Sequence, residues 1–252
     1  MEFADYRPYS PGDDPRLVDW RAYARLGRLY LKQSEEERSR TVTLLVDTSA
    51  SLDFGDGDVH KGLYARRLAS ALAWIALGHH EAVRVYLLGK GSASPLPPVS
   101  SRSAAAALFR QLAMTKEEGP TDLVASLRMP SRDLTAGPLF LLTDLLDPRW
   151  SEALDALTGV REAAVLQLLA PAEWEPPLGE EVELEDAETG ELRPTRLGPM
   201  EIAAYRARLD GFVDSVRRQC ARIGLPHLAV NTSASLQETV LRHLPRAGLL
   251  TG

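Results

Sequence analysis

Cysteine is almost absent from this chain of 252 residues, and the single example is Cys220. One cysteine excludes an internal disulfide framework and fits a reducing compartment. Because Cys220 falls in a helical pattern and free cysteine is among the most buried residue types, we expect its thiol in the core.

An excess of basic residues is also missing. The chain has 29 Lys and Arg against 35 Asp and Glu, which gives a formal net charge of -6. This balance argues against a general nucleic-acid binder, because such proteins carry a basic footprint. An acidic surface instead favours cationic partners, metal ions among them.

Long apolar runs are missing as well, since none approaches the ~20 residues that a membrane-spanning helix needs. The first residues, MEFADYRPYSPGDD, have neither the charged region nor the apolar region of a signal peptide. We therefore expect a soluble, cytoplasmic protein with no membrane segment in this chain. An anchor upstream of it would instead place the protein at a membrane.

What the sequence does contain is an alternation of apolar, β-branched runs with amphipathic helical patterns. The runs predict buried strands at 41–46, 83–88, 139–142, 163–169 and 227–230. The helical patterns lie at 60–77, 103–114, 151–157, 202–223 and 236–244, with a loop at 89–101 and a short helix after Thr121. This alternation predicts an α/β fold with a Rossmann-like, mostly parallel central sheet and helices on both faces.

Two segments depart from the alternation. Residues 1–40 are aromatic and charge-balanced, and we interpret them as an extended or irregular arm, with a strand near 28–31, packed on a main domain of residues 41–252. A turn at Glu188-Thr-Gly190 predicts an inserted β-hairpin near 180–196. Because 173–191 contains nine acidic residues and no basic one, this hairpin is either a solvated edge or a docking surface for a basic partner.

Acidic and hydroxyl side chains follow two of the predicted strands. Asp47 ends the first apolar strand, with Ser49 and Ser51 just after it, and Asp144 follows the strand at 139–142. Ligands of parallel sheets bind beyond the carboxyl ends of the strands, so these side chains are expected at one rim. Thr121 lies in a loop between helices that can cross the same rim.

Carboxylate and hydroxyl oxygens are ligands for a hard cation such as Mg²⁺, with Mn²⁺ and Ca²⁺ as alternatives. The sequence therefore predicts a metal site formed by Asp47, Ser49, Ser51, Thr121 and Asp144. Because hydroxyl ligands are neutral, the cation keeps positive charge at its one open coordination position. An acidic side chain of another protein can fill that position. The alternative is a degenerate site whose residues merely cap helices and turns.

The spacing of these five residues resembles the metal-ion-dependent adhesion site of von Willebrand factor A domains. That resemblance implies hydroxyl ligands from Ser49, Ser51 and Thr121, and carboxylates of Asp47 and Asp144 that bind the ion directly or through water. It also implies a von Willebrand factor A-like fold and a protein partner that donates a carboxylate.

A narrower resemblance covers nearly the whole chain. Arg7-Pro-Tyr-Ser-Pro-Gly-Asp-Asp-Pro-Arg-Leu-Val-Asp-Trp20 and Glu185-Asp-Ala-Glu-Thr-Gly-Glu191 are similar to motifs of the domain-of-unknown-function family numbered 58. This resemblance implies a MoxR-type AAA+ ATPase as partner and an adaptor or chaperone-like role. From the residues themselves, we expect no enzymatic activity.

The arm admits two interpretations. Its acidic and basic residues can form ion pairs while Trp20 anchors the arm as a structural clamp. Alternatively, Asp13, Asp14, Arg16 and Trp20 bind a partner.

The competing function is enzymatic. An Asp at a strand end beside Mg²⁺ can be the nucleophile of a hydrolase or phosphatase, which would assign catalysis to Asp47. Phosphatases of the haloacid-dehalogenase type place a second Asp two residues further on, where this chain has Ser49.

Overall fold

The computed structural model describes residues 5–8, 18, 20–33, 40–120, 122–128, 137–176, 181–185, 192–196 and 198–249. The chain divides into two compact units, Met1–Arg40 and Thr41–Gly252.

The first unit contains more regular structure than the predicted arm. Strand β1 (Asp5–Pro8) pairs antiparallel with β2 (Tyr30–Gln33), and helix α1 (Trp20–Leu26) lies between them in sequence. Gly27, with φ of 66°, ends the helix and donates its N–H to the Tyr23 carbonyl at 2.9 Å. The expectation of an irregular segment was therefore wrong for α1, although a glycine stop signal was present. Asp13, Asp14 and Arg16 lie outside the described residues.

The second unit is built on a six-stranded sheet in the order β10-β7-β6-β3-β4-β5. The strands are β3 (Thr41–Asp47), β4 (Ala82–Gly89), β5 (Ser92–Pro95), β6 (Leu139–Thr143), β7 (Ala163–Leu169) and β10 (His227–Asn231). All neighbouring pairs are parallel except β4 and β5. This arrangement confirms the predicted α/β fold with a mostly parallel sheet.

Helices cover both faces of the sheet because alternate residues of the apolar strands point to opposite sides. They are α2 (Lys61–Gly78), α3 (Ala105–Met114), α4 (Leu123–Ser126), α5 (Trp150–Asp155), α6 (Pro171–Trp174) and α7 (Pro199–Arg222). Leu44 and Val46 share a core with α2 and α3, whereas Leu45 packs with α4, α5 and α7. Cys220 of α7 is buried as predicted, and burial raises the pKa of its thiol to about 11.

Two elements differ from the prediction. The expected loop after β4 contains the edge strand β5, joined by a two-residue turn in which Lys90 and Gly91 both have positive φ (51° and 71°). Such turns match the twist of hairpin strands, and glycine is common in them. The predicted last helix is present, but its middle part, Thr239–His243, is π-helical and continues directly from Leu236–Glu238 into Leu244–Arg246.

The inserted hairpin has its strands where they are predicted. Strand β8 (Glu181–Glu185) pairs antiparallel with β9 (Leu192–Arg196), while the turn residues lie outside the described part of the chain. Among the described residues, no helix combines the length and the apolar character needed to cross a membrane.

Candidate metal centre

Asp47 is the last residue of β3, and both of its carboxylate oxygens accept hydrogen bonds. The backbone N–H of Ser49 donates to Oδ1 at 2.9 Å, and the hydroxyl of Thr143 donates to Oδ2 at 2.6 Å. The second bond joins the ends of β3 and β6, which are adjacent in the sheet. The carboxylate is buried and fixed in one orientation at the carboxyl edge of the sheet.

The two serines that follow Asp47 lie together. Their Oγ atoms are 3.1 Å apart, and a short 3₁₀ turn at Ala50–Leu52 brings the second hydroxyl back beside the first. Ser49 is fully buried and Ser51 is half-buried. The chain therefore presents a pair of adjacent hydroxyl oxygens just beyond the strand end.

Asp144 follows β6 and is also fully buried. Its Oδ1 accepts the N–H of Leu146 at 3.1 Å. Leu145, between them, has φ of 61°, a left-handed conformation that is strained for a leucine. The Leu145 N–H donates to the Thr143 hydroxyl at 3.0 Å, so the strained residue is held on the same hydroxyl that contacts Asp47.

Lys61 is a member of this site that the sequence analysis missed. Its Nζ donates to Asp144 Oδ2 at 2.8 Å and to Glu173 Oε1 at 2.9 Å, and the Lys61 side chain is 1% exposed. The other oxygen of Glu173 accepts the N–H of Ala170 at 2.6 Å. An ammonium group thus lies between two carboxylates at the edge of the sheet.

The start of α2 fixes the backbone of Lys61. Its N–H donates to the carbonyl of Phe54 at 2.9 Å, and the Phe54 ring centroid lies 5.4 Å from Nζ. His60 caps the helix, with Nδ1 accepting the Leu63 N–H at 3.2 Å. These contacts direct the lysine side chain inward rather than toward solvent.

The charges of the site perturb one another. Burial and the neighbouring charge of Asp144 raise the pKa of Asp47 to about 6. Burial alone would lower the pKa of Lys61, but the charges of Asp144 and Glu173 raise it above its usual value, so the ammonium is ionised. Burial raises the pKa of Glu173 even though Lys61 acts in the opposite direction.

The loop before Thr121 approaches the Asp47 loop through backbone hydrogen bonds. The N–H of Glu118 donates to Thr48 O at 2.9 Å, and the N–H of Ala50 donates to Gly119 O at 3.0 Å. Thr121 itself lies outside the described residues. The structure thus brings together four of the five predicted ligand residues, and the fifth follows a loop that contacts the site.

Asp147, which the sequence analysis also missed, fixes the segment after Thr121. Its Oδ2 accepts the Leu123 N–H at 2.8 Å and its Oδ1 accepts the Arg149 N–H at 2.7 Å. Asp122 caps the same short helix by accepting the Ala125 N–H at 2.9 Å. A buried carboxylate therefore links α4 to the loop after β6.

The described residues fit a hard divalent cation. The Lys61 ammonium lies between Asp144 and Glu173, and Asp47 is a third carboxylate next to Asp144, so the group carries excess negative charge. The serine pair that follows Asp47 offers neutral oxygens. Oxygen donors of this kind suit Mg²⁺, Mn²⁺ or Ca²⁺. The raised pKa of Asp47 indicates that its negative charge is poorly compensated by the protein alone.

A second group of possible ligands lies nearby, at Asp53, His60 and Glu117. One ligand atom from each lies within 4.8 Å of the others. However, His60 is already bonded through both ring nitrogens, to Asp53 Oδ1 at 2.9 Å and to the Leu63 N–H. Arg66 pairs with Glu117, so a protein cation already occupies that side of the group.

Comparison with known proteins decides the family. The family described as "Protein of unknown function DUF58" matches residues 5–218. The chain belongs to this family. The prediction made from the arm and hairpin motifs is thereby confirmed.

Relatives of this DUF58 protein include uncharacterized protein Rv1480 of Mycobacterium tuberculosis and uncharacterized protein Mb1516 of Mycobacterium bovis. Each is 28% identical over 261 residues, an alignment that covers 100% of this chain and 81% of the relative. Neither name states an activity.

A solved structure supports the fold. The crystal structure of the conserved hypothetical protein BatB from Bacteroides thetaiotaomicron matches with a TM-score of 0.50 and 19% identity, over 82% of this chain and 98% of that one. At this identity the likeness concerns the fold alone. The fold of this DUF58 protein is von Willebrand factor A-like, as the strand-end motif predicts.

Proposed function

We propose that this DUF58 protein is a metal-ion-dependent protein-binding module in which Mg²⁺ joins the carboxyl edge of the sheet to an acidic residue of a partner. The observation that carries the proposal is the meeting of Asp47 and Asp144 with the hydroxyls of Ser49 and Ser51 beyond the ends of two adjacent strands. Thr121 completes the proposed ligand set.

When bound, the cation supplies an electrophilic position that attracts a carboxylate. The protein's own residues prepare that position. Thr143 and the Ser49 N–H hold Asp47 in one orientation, and the Leu146 N–H does the same for Asp144. The serine hydroxyls contribute oxygen without neutralising the cation, so its charge remains available to the partner.

A MoxR-type AAA+ ATPase is the partner that the family resemblance implies, with the DUF58 protein as an adaptor or chaperone-like component. In the first unit, Asp13, Asp14, Arg16 and Trp20 remain candidates for partner contact. The Trp20 ring makes an edge contact with Tyr23 at a centroid distance of 6.3 Å.

The experiment has two stages. Calorimetric titration with Mg²⁺ should give saturable binding to the wild type, loss of binding in Asp47→Ala, and retention in Asp58→Ala, which removes an 88% exposed carboxylate outside the site. Equal affinity in the wild type and Asp47→Ala would contradict the metal site. Loss in Asp53→Ala instead would assign the cation to the group around His60.

The second stage measures binding to the purified MoxR-type ATPase of the same organism. Because the ATPase itself uses Mg²⁺, the comparison is between wild type and Asp47→Ala at a constant Mg²⁺ concentration. The proposal predicts binding that is lost in Asp47→Ala and kept in Asp58→Ala. Identical binding by all three proteins would contradict a role for the cation in this interaction.

Catalysis by Asp47 has less support as an alternative function. The Asp47 side chain is buried, and both of its oxygens already accept hydrogen bonds. A carboxylate nucleophile must instead be ionised and reach its substrate. Phosphate-ester turnover that disappears in Asp47→Asn would favour the enzymatic alternative.

A further inference from the structure

We propose that Lys61 and Glu173 form a built-in electrostatic regulator of the cation site, in which the ammonium weakens divalent-cation binding and Glu173 counteracts it. The inference rests on the proposed metal site and concerns what sets its affinity.

The first observation is where the ammonium lies. Lys61 Nζ is 2.8 Å from Asp144 Oδ2, on one of the two carboxylates proposed for the cation. The Lys61 side chain is 1% exposed, so water screens its charge poorly. A divalent cation that uses Asp144 therefore meets a fixed positive charge on the same carboxylate.

The second observation is that the ammonium has another carboxylate. Glu173 accepts from Nζ at 2.9 Å and is 12% exposed. The ammonium is therefore shared between Asp144 and Glu173, and the negative charge of Glu173 partly compensates the positive charge of Lys61. Backbone contacts hold both groups, since the Lys61 N–H is bonded to Phe54 O and the second Glu173 oxygen accepts the Ala170 N–H.

The two side chains should consequently act in opposite directions. Without the ammonium, Asp144 and Glu173 are both uncompensated, and a divalent cation becomes their best neutralising group. Without the Glu173 charge, the ammonium pairs with Asp144 alone and opposes the cation more strongly. A lysine that only supports the fold would not produce changes of opposite sign.

A mutant cycle measured by Mg²⁺ titration tests the inference. Lys61→Met should bind Mg²⁺ about tenfold or more tightly than wild type, because a unit charge within about 5 Å of a divalent cation has an effect of this size even at the dielectric constant of water. Glu173→Gln should bind more weakly by a similar factor. The double variant, K61M with E173Q, should return close to the wild-type affinity.

Several results would overturn the inference. Weaker binding in both single variants would show that Lys61 and Glu173 only position Asp144. Unchanged affinity in both would show that their charges do not reach the cation. After either of these results, Mg²⁺ binding by the wild type would still support the metal site. Absence of Mg²⁺ binding in all four proteins would overturn both proposals.

Folding is monitored separately by thermal unfolding in EDTA. K61M removes the ammonium from the buried carboxylate of Asp144 and the partly buried carboxylate of Glu173. The variant should therefore unfold at a lower temperature in EDTA and regain stability when Mg²⁺ is added. If K61M does not fold, E173Q, which keeps the lysine, still decides the sign of the effect. Stronger Mg²⁺ binding by E173Q than by wild type would overturn the inference.

Discussion

Asp47 and Lys61 differ in how readily the sequence reveals them. Asp47 stands directly after an apolar strand, so the position of its side chain follows from sheet geometry. Lys61 stands at a helix start, where a lysine is normally solvated, and its carboxylate partners are 83 and 112 positions away in the sequence. Only the three-dimensional packing reveals that its charge is buried.

The raised pKa of Asp47 predicts a specific pH dependence of stability in the metal-free protein. Since the folded-state pKa of about 6 lies above the ordinary aspartate pKa of 3.8, the folded protein binds this proton more tightly than the unfolded chain. The ionised side chain therefore destabilises the fold, by up to about 3 kcal/mol at neutral pH. This penalty fades as the pH falls through 6 toward 4.

Asp47→Asn isolates this effect because it removes the charge with little change of shape. In EDTA, the stability of the variant relative to wild type should rise by about 1–2 kcal/mol between pH 5 and pH 7.5. A pH-independent loss is superimposed on this rise, because the amide nitrogen cannot accept one of the two hydrogen bonds that the carboxylate accepts. Urea unfolding at several pH values measures the change. Relative stability that is constant over this range, or that falls as the pH rises, would contradict the assignment.

At the scale of elements, the apolar strands and longer helices are predictable because burial imposes a period on their sequences. Strand β5 is not, because Ser92–Pro95 is short, polar and at an edge. The only sequence feature that indicates the β4–β5 hairpin is the Lys90-Gly91 turn. It is hard to recognise because Lys90 adopts a left-handed conformation that asparagine and glycine prefer. Helix α1 is short, and its sequence has no long apolar stripe.

The connection between α4 and the loop after β6 yields a prediction about stability. Asp147→Ala should lower the free energy of unfolding by about 2–4 kcal/mol, because the N–H groups of Leu123 and Arg149 lose their acceptors. The same change should weaken Mg²⁺ binding, since the segment after Thr121 loses its link to the strand that positions Asp144. Urea unfolding and calorimetry measure the two effects.

Asp155→Ala is the matched control, because it also removes an aspartate. The Asp155 side chain is 49% exposed and forms an ion pair with Arg222. Its effect on stability should stay below about 1 kcal/mol. Equal effects of the two variants would show that Asp147 contributes no more than a surface charge.

At the scale of the whole molecule, the parallel sheet explains why the candidate ligands can be far apart in sequence. Strands β3 and β6 are adjacent and parallel, so Asp47 and Asp144 leave the sheet at the same edge. The alternation of strands and helices predicts parallel strands, and with them both carboxylates at one edge. The adjacency of β3 and β6 is shown only by the structure. The buried charges beside the ligands are Lys61 of α2 and Glu173 of α6. Their positions depend on how these helices pack, which the sequence pattern does not reveal.

The most direct measurement is the anomalous scattering of Mn²⁺ in crystals of the wild-type protein. We expect a peak within coordination distance of the Ser49 and Ser51 hydroxyls, beside Asp47, and its loss in Asp47→Ala crystals. A peak at Asp53, His60 and Glu117, or no peak at saturating Mn²⁺, would contradict a cation site at the carboxyl edge of the sheet.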